Sequence, residues 1–87
     1  MMVVDRTQIR RFIADNFMFG DSAAALEDNA SLIENGWMDS TGVMELVGFI
    51  ETEFGIAVAD GDIIPENLDT VAAIADFIAR KAAMQAA

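Results

Sequence analysis

The chain contains no cysteine and no histidine. Without thiolate or imidazole side chains it has no disulfide framework, no thiolate metal site and no Ser/His/Asp or Cys/His catalytic set. No apolar run reaches the length of a signal-peptide core or of a membrane span. A carboxylate pair is the remaining acid–base candidate, but a helical domain of 87 residues offers little room for a pocket. We therefore expect a cytoplasmic protein that is not an enzyme.

Basic residues are scarce as well. The chain has 5 basic and 15 acidic residues, a net charge of -10, and no base between Phe12 and Ala79. Such a surface repels nucleic acid and anionic lipid, which excludes the protein classes that bind phosphate groups. It either attracts partners that present basic patches, or serves only to keep a chain that is 54% hydrophobic in solution.

The length predicts one domain over 1–87, with its core in about 5–80, because a second domain would lack a core of its own. Apolar residues at helical spacing predict a first helix over about 5–18, with Asp5 as N-cap, Gln8 as its capping-box partner and Gly20 as its end. We expect this domain to be a monomer.

A long connection over 19–39 follows the first helix. Connections of this length are unusual in small domains and are often functional. Its apolar residues are expected to hold it across the bundle; they are Leu26, Leu32, Ile33 and Trp37. We interpret Trp37 as an anchor against the core rather than as a substrate contact.

The second helix is predicted to begin at Asp39 or Ser40, either of which is a suitable N-cap, and to end at Gly55. One apolar stripe at helical spacing forms its buried face. The stripe consists of Val43, Leu46, Val47, Ile50 and Phe54.

The segment after Gly55 is predicted to be irregular. Residues 56–58 form an extended link, and Asp60 to Leu68 holds one short turn of helix at most, because Pro65 disfavours helix at the residue before it. Asp60, Asp62 and Glu66 do not match the ligand spacing of a calcium loop, so we predict no metal site beyond weak, non-specific binding of divalent ions.

Thr70 is predicted to cap the last helix, with Arg80 and Lys81 favourably placed near its C-terminal end. Its inward residues are Val71, Ile74, Phe77 and Ile78. The tail after Lys81 either extends this helix or frays. The predicted fold is therefore all-α, a small four-helix bundle of three main helices and one short helix, with a long loop between helices one and two. Many unrelated proteins share this plan, so the fold does not determine function.

The chemically informative residues lie where the long loop meets the second helix. Gly36 stands four residues before Ser40, Asp39 one residue before it, and Glu45 five residues after it. Alone, an Asp-Ser pair before a helix is an ordinary N-cap worth about 1 kcal/mol. The whole run from Gly36 to Leu46, however, resembles the phosphopantetheine attachment site of acyl and peptidyl carrier proteins, and the resemblance extends over about 5–80.

The resemblance implies a carrier protein whose covalent cofactor is 4'-phosphopantetheine, attached to Ser40. The terminal thiol of that arm forms a thioester, which explains thiol chemistry in a chain without cysteine. By the same resemblance, Asp39 helps to position the metal ion used by the phosphopantetheinyl transferase that installs the arm. Thr41 departs from the leucine that is most common in the family, which leaves open which transferase recognises the chain. It also leaves an alternative function open, an acidic helical interaction module of carrier-like fold that is never modified.

The family uses the second helix to meet its partners. The corresponding residues are Thr41, Met44, Glu45, Gly48 and Glu51, together with Asp39. Two of them have structural alternatives, since Met44 could pack partly on the core and Gly48 could be a poor helix residue that is simply tolerated. The loop spacing is similar to that of stand-alone aminoacyl (D-alanyl-type) carriers. We therefore expect an adenylating acyl or aminoacyl ligase and downstream acyl-transfer enzymes, acting on a separate chain, as further partners.

Overall fold

The computed structural model describes residues 4–17 and 26–85. These residues form four α-helices and one 3-10 turn, with no strand among them. The helices are α1 (Arg6–Phe17), α2 (Ser40–Phe54), α3 (Pro65–Leu68) and α4 (Val71–Gln85), and the 3-10 turn is Asp60–Asp62. The all-α prediction of three main helices and one short helix is confirmed. The prediction of a single turn between Asp60 and Leu68 is wrong, because this segment holds both the 3-10 turn and α3.

Asp5 caps α1 as predicted. Its Oδ1 accepts a hydrogen bond from the Thr7 N–H at 2.9 Å. The predicted capping box is wrong, because the Gln8 amide instead donates to the Glu53 carboxylate at the far end of α2, 3.3 Å away. The predicted end at Gly20 lies outside the described residues.

Local signals define both ends of α2. Asp39 has an extended backbone and is the N-cap, and its Oδ1 accepts the Gly42 N–H at 2.8 Å. Gly55 ends the helix in the left-handed conformation, with φ 67°. The predicted stripe is confirmed at its centre, where Leu46, Val47 and Ile50 are buried. Its outer members, Val43 and Phe54, are half-buried and pack against the core.

Gly42 has a packing role that the sequence pattern does not reveal. A Cβ atom at this position would come within 3.0 Å of Phe17 Cε1 and 3.2 Å of Met38 Cγ. The absence of a side chain therefore lets the first turn of α2 approach the end of α1 closely.

The core lies between α4 and the other three helices, each of which α4 contacts. The buried side chains are all hydrophobic in the part of the chain that the structure describes. They come from the four α-helices, from the loop before α2 and from the link after it. The buried residues of α4 include the four that were predicted to point inward, Val71, Ile74, Phe77 and Ile78.

Helix α4 begins as predicted, with the Thr70 hydroxyl accepting the Ala73 N–H at 3.0 Å. It continues to Gln85, so the prediction that Arg80 and Lys81 lie near its C-terminal end is wrong. The Gln85 side chain explains the extension, because its amide forms a pair of hydrogen bonds with the backbone N–H and C=O of Ala57, each 2.9 Å long.

Both basic residues of α4 contact the segment before this helix. Lys81 pairs with Asp62 at 2.8 Å, and Arg80 donates to the Asn67 side chain at 3.1 Å. These contacts tie the 3-10 turn and α3 to α4. Among the described residues, no helix is long and apolar enough to cross a membrane.

The Asp62–Lys81 pair makes folding stability sensitive to acid. The Lys81 ammonium, and then the Ala59 N–H, hold the pKa of Asp62 below its usual value. The pair's contribution is therefore fully present above the usual aspartate pKa, and is lost as the pH falls through the lowered value. We expect the Tm of the wild type to fall more steeply over this acidic range than the Tm of Asp62→Asn, as measured by circular dichroism. Asp60→Asn, which leaves the pair intact, should retain the wild-type slope, and equal slopes for wild type and Asp62→Asn would contradict this assignment.

Candidate functional site

Ser40 is the first residue of α2, and it is exposed. Asp39 is the N-cap, so the serine hydroxyl is not needed for capping. In the described part of the chain, the hydroxyl makes no hydrogen bond with the protein. The structure therefore leaves Ser40 Oγ accessible at the start of a 15-residue helix.

The start of α2 favours a negatively charged substituent. The Asp39 side chain accepts a hydrogen bond from the Gly42 N–H. The Asp39 backbone carbonyl accepts one from the Val43 N–H at 2.9 Å. The N–H groups of Ser40 and Thr41 have no acceptor among the described residues. Unpaired N–H groups and the positive end of the helix dipole stabilise a phosphate group, typically by about 0.3–1 kcal/mol at an exposed site. A phosphodiester on Ser40 Oγ fits this environment.

The loop before Ser40 is held by a compact turn. The Leu32 carbonyl accepts the N–H groups of Trp37 at 3.0 Å and Met38 at 3.2 Å. Gly36 has φ 73°, a left-handed conformation that glycine adopts without strain, which gives a physical reason for the glycine of the motif. The turn brings the chain back on itself and delivers it to the start of α2.

The predicted role of the loop's apolar residues is only partly right. Leu26 and Leu32 are buried, and Trp37 is half-buried against the core, as expected for anchors. Ile33 does not fit this prediction, because it is 47% exposed. Its N–H donates a hydrogen bond to the Asp69 carboxylate, and its side chain projects beside the start of α2 instead of entering the core.

A groove runs beside Ser40 between the loop, α2 and the segment around α3. It has a volume of about 370 Å³, and its lining is mainly apolar. Three of its lining residues, Ile33, Met44 and Ile64, are among the few large apolar side chains that are exposed in the described structure. The remaining lining residues are Ser40, Val43, Ile63, Pro65 and Leu68.

Sequence reasoning did not identify this groove. The signal available for it was the pair Ile63–Ile64, two apolar residues directly before Pro65 and outside any helical stripe. The groove means that an apolar group of moderate size, attached near Ser40, can be sheltered against the protein surface.

The outer surface of α2 presents the residues predicted to meet partners. Thr41, Met44, Glu45 and Gly48 are all exposed, and a Cβ atom at Gly48 would meet no atom within 4 Å. Met44 is 56% exposed, so it does not pack into the core. Glu51 is exposed too, but its carboxylate accepts the Val58 N–H at 2.9 Å and thereby supports the link after α2.

The carboxylate of Asp62, in the 3-10 turn, already has protein partners. The Asp62 carboxylate is bound by Lys81 and by the Ala59 N–H. Over residues 4–17 and 26–85, no group of three or more potential ligand residues is arranged to hold a metal ion.

Comparisons with known proteins identify the family of the chain. A family model described as "Phosphopantetheine attachment site" matches residues 7–78, which include Asp39, Ser40 and the whole of α2. The chain is also similar to the solution NMR structure of a holo acyl carrier protein from Nitrosomonas europaea. That likeness has a TM-score of 0.75 at 23% sequence identity and covers 90% of this chain and 95% of the other. At this level of identity it shows a shared fold.

Proposed function

The chain belongs to the phosphopantetheine attachment site family, and we propose that Ser40 is the residue that carries its 4'-phosphopantetheine arm. The observation that supports this assignment is the accessible Ser40 hydroxyl at the start of α2. Asp39, and not Ser40, caps this helix, so the serine hydroxyl is not used by the fold. As a member of this family, the protein is a carrier rather than an enzyme, and phosphopantetheine is its covalent cofactor.

The arm supplies a terminal thiol, on which an acyl group is held as a thioester. The chain's own residues have simpler tasks. Ser40 provides the oxygen of the phosphodiester, the start of α2 stabilises the negative charge of the phosphate, and the groove beside Ser40 shelters an apolar part of the load.

Intact mass spectrometry tests the assignment. The protein is produced alone and together with a broad-specificity phosphopantetheinyl transferase, and the two samples are compared. We expect the co-expressed sample to gain the mass of one arm, and peptide mapping to place it on Ser40. A protein that stays unmodified with several transferases would contradict the proposal and favour an unmodified interaction module instead.

For the load, we propose an amino acid or another carboxylic acid that a separate adenylating ligase activates and transfers to the arm. The loop spacing around Asp39 and Ser40 supports this class of carrier, and the apolar groove favours a load with an apolar portion. When the modified protein is incubated with ATP, a candidate acid and the adenylating enzyme encoded nearest to its gene, the thiol of the arm should displace AMP from the activated acid, and the protein should gain the mass of the acyl group as a thioester. If only fatty-acid synthase enzymes charge it, the proposed class of load is wrong.

We further propose that partner enzymes bind to one face at and after the start of α2, which we call the docking face. It consists of Asp39, Thr41, Met44, Glu45, Gly48 and Glu51. The charge on this face is negative, so complementary partners carry basic residues. Exposed ion pairs contribute at most about 1 kcal/mol each, which suits a carrier that must leave one enzyme for the next. Met44 adds an adaptable apolar contact at the centre of the face.

Charge reversal should reveal the docking face. We expect Glu45→Lys to slow modification about two- to fivefold, because it removes one exposed ion pair and weakens electrostatic steering. The measurement is the initial rate of modification at low and at physiological salt. The difference in rate between the wild type and Glu45→Lys should shrink as the salt concentration, and with it the screening, increases. Glu27→Lys is the matched control, since Glu27 is equally acidic and exposed but lies in the loop outside this face.

A bulky side chain on the docking face provides a second test. Gly48→Trp should block docking, while the open space around this position and the loss of a helix glycine leave stability unchanged or slightly raised. If Glu45→Lys and Gly48→Trp are both modified and loaded at wild-type rates, α2 is not the docking face.

A further inference from the structure

Asp69 joins the long loop to the junction between α3 and α4. Its Oδ2 accepts the Ser31 hydroxyl at 2.5 Å, and its Oδ1 accepts the Ile33 N–H at 2.9 Å. Its backbone carbonyl accepts the Leu32 N–H at 2.8 Å. Three consecutive loop residues therefore donate to one residue that is distant in sequence and belongs to no motif around Ser40.

The position of Asp69 is itself well defined. It is the C-cap of α3, and its N–H donates to the Pro65 carbonyl at 3.0 Å. The next residue, Thr70, caps α4. Because Asp69 sits between two helices whose ends are both hydrogen-bonded, its carboxylate is a fixed point to which the loop is attached.

The loop segment that Asp69 holds leads directly to the attachment site. Leu32, whose N–H it binds, accepts the Trp37 and Met38 N–H groups with its own carbonyl, and Met38 is two residues before Ser40. Ile33, whose N–H it also binds, stands in the wall of the groove beside Ser40. Hydrogen bonds thus run from Asp69 through Leu32 to the residues that precede the helix.

We propose that Asp69 is a positioning residue, which holds the loop over residues 31–38 in the arrangement that presents Ser40 and shapes its groove. This role rests on the proposed function of Ser40. Without the Asp69 carboxylate, the Ile33 N–H and the Ser31 hydroxyl lose their acceptors, and the loop populates additional arrangements. The apparent affinity of a transferase for the carrier then falls in proportion to the fraction of molecules that present the site correctly.

The kinetic test varies the concentration of the carrier at saturating phosphopantetheinyl donor. For Asp69→Ala we expect the KM for the carrier to rise about three- to tenfold, because two hydrogen bonds to a partly exposed carboxylate are lost, while kcat stays near the wild-type value. Asp69→Asn should restore most of the wild-type KM. Its carbonyl can accept the Ile33 N–H, and the Ser31 hydroxyl can turn to accept from its NH₂ group.

Gln85→Ala is the matched control. It also removes two side-chain hydrogen bonds to a distant segment, but it acts at the end of α2 opposite Ser40, about 20 Å along the helix. It should lower the Tm and leave KM unchanged. Ser31→Ala provides a second variant in case Asp69→Ala unfolds: it keeps the bond from the Ile33 N–H to Asp69 but removes the Ser31 hydroxyl, which donates to Asp69 and accepts the Glu34 N–H at 3.1 Å, and its KM should be intermediate.

A second measurement does not depend on modification. Trp37 is the single tryptophan of the chain, so its fluorescence reports on the loop. We expect a red shift of its emission, and faster hydrogen exchange at the Trp37 and Met38 amides, in Asp69→Ala but not in Gln85→Ala. If the wild-type protein is modified and Asp69→Ala has the same KM, the positioning role alone is overturned. If the wild-type protein is not modified at all, the proposed function of Ser40 is overturned.

Discussion

Ser40→Ala is expected to abolish attachment of the phosphopantetheine arm completely, while the Tm stays within about 2 °C of the wild-type value, the shift that a few tenths of a kcal/mol produces in a domain of this size. We expect the chemical effect to be total because Ser40 Oγ is the proposed attachment atom. The effect on stability is small because Asp39, and not Ser40, provides the capping hydrogen bond to Gly42.

Intact mass after co-expression with the transferase, together with thermal unfolding, measures both effects. Thr41→Ala is the matched control, since it removes the neighbouring exposed hydroxyl and leaves Ser40 in place. This control should still gain one arm. An arm on Ser40→Ala would show that another residue is the attachment point.

Asp39→Asn is expected to separate two roles of one side chain. Asparagine and aspartate are about equally good N-caps, so the hydrogen bond to Gly42 and the stability of the fold should be retained. The negative charge is lost, however, and with it the ability that the family resemblance assigns to Asp39, to position the transferase's metal ion. Residues that support a metal site typically contribute about 10–100-fold to activity, and we expect modification to slow by about that factor.

Asp39→Ala completes this experiment. It removes the cap as well as the charge, so it should be slow to modify and also less stable by about 0.5–2 kcal/mol. Rates of modification and denaturant unfolding of the three proteins distinguish the roles. A wild-type rate for Asp39→Asn would show that Asp39 acts as a helix cap and nothing more.

Local patterns were sufficient for the long helices. The apolar stripe of α2, its cap and the glycine that ends it all depend on neighbours within a few residues, and the structure confirms them. The same holds for Asp5 before α1 and Thr70 before α4. Carrier family and cofactor were also predictable, because the motif around Ser40 is contiguous, and the family match confirms both.

The errors share a physical cause. Gln8 and Lys81 were assigned local roles at helix ends, and Ile33 was expected to anchor the loop on the core, but each has a partner that is distant in the chain: Glu53 for Gln8, Asp62 for Lys81 and Asp69 for the backbone of Ile33. A hydrogen bond or ion pair of this kind leaves no periodic pattern in the sequence. The sequence left open whether the tail after Lys81 extends α4 or frays; the helix extends to Gln85, whose partner lies in the link after α2.

The long helices, their N-caps, the acidic surface and the motif that identifies the family could all be predicted before the structure, because they depend on neighbouring residues or on composition. Packing in three dimensions was needed to show that Ser40 lies beside an apolar groove, and that the loop before it is hydrogen-bonded to Asp69. Both features require α2, α3 and the loop to meet in space. Their geometry follows from how the helices pack, which the order of residues along the chain does not reveal.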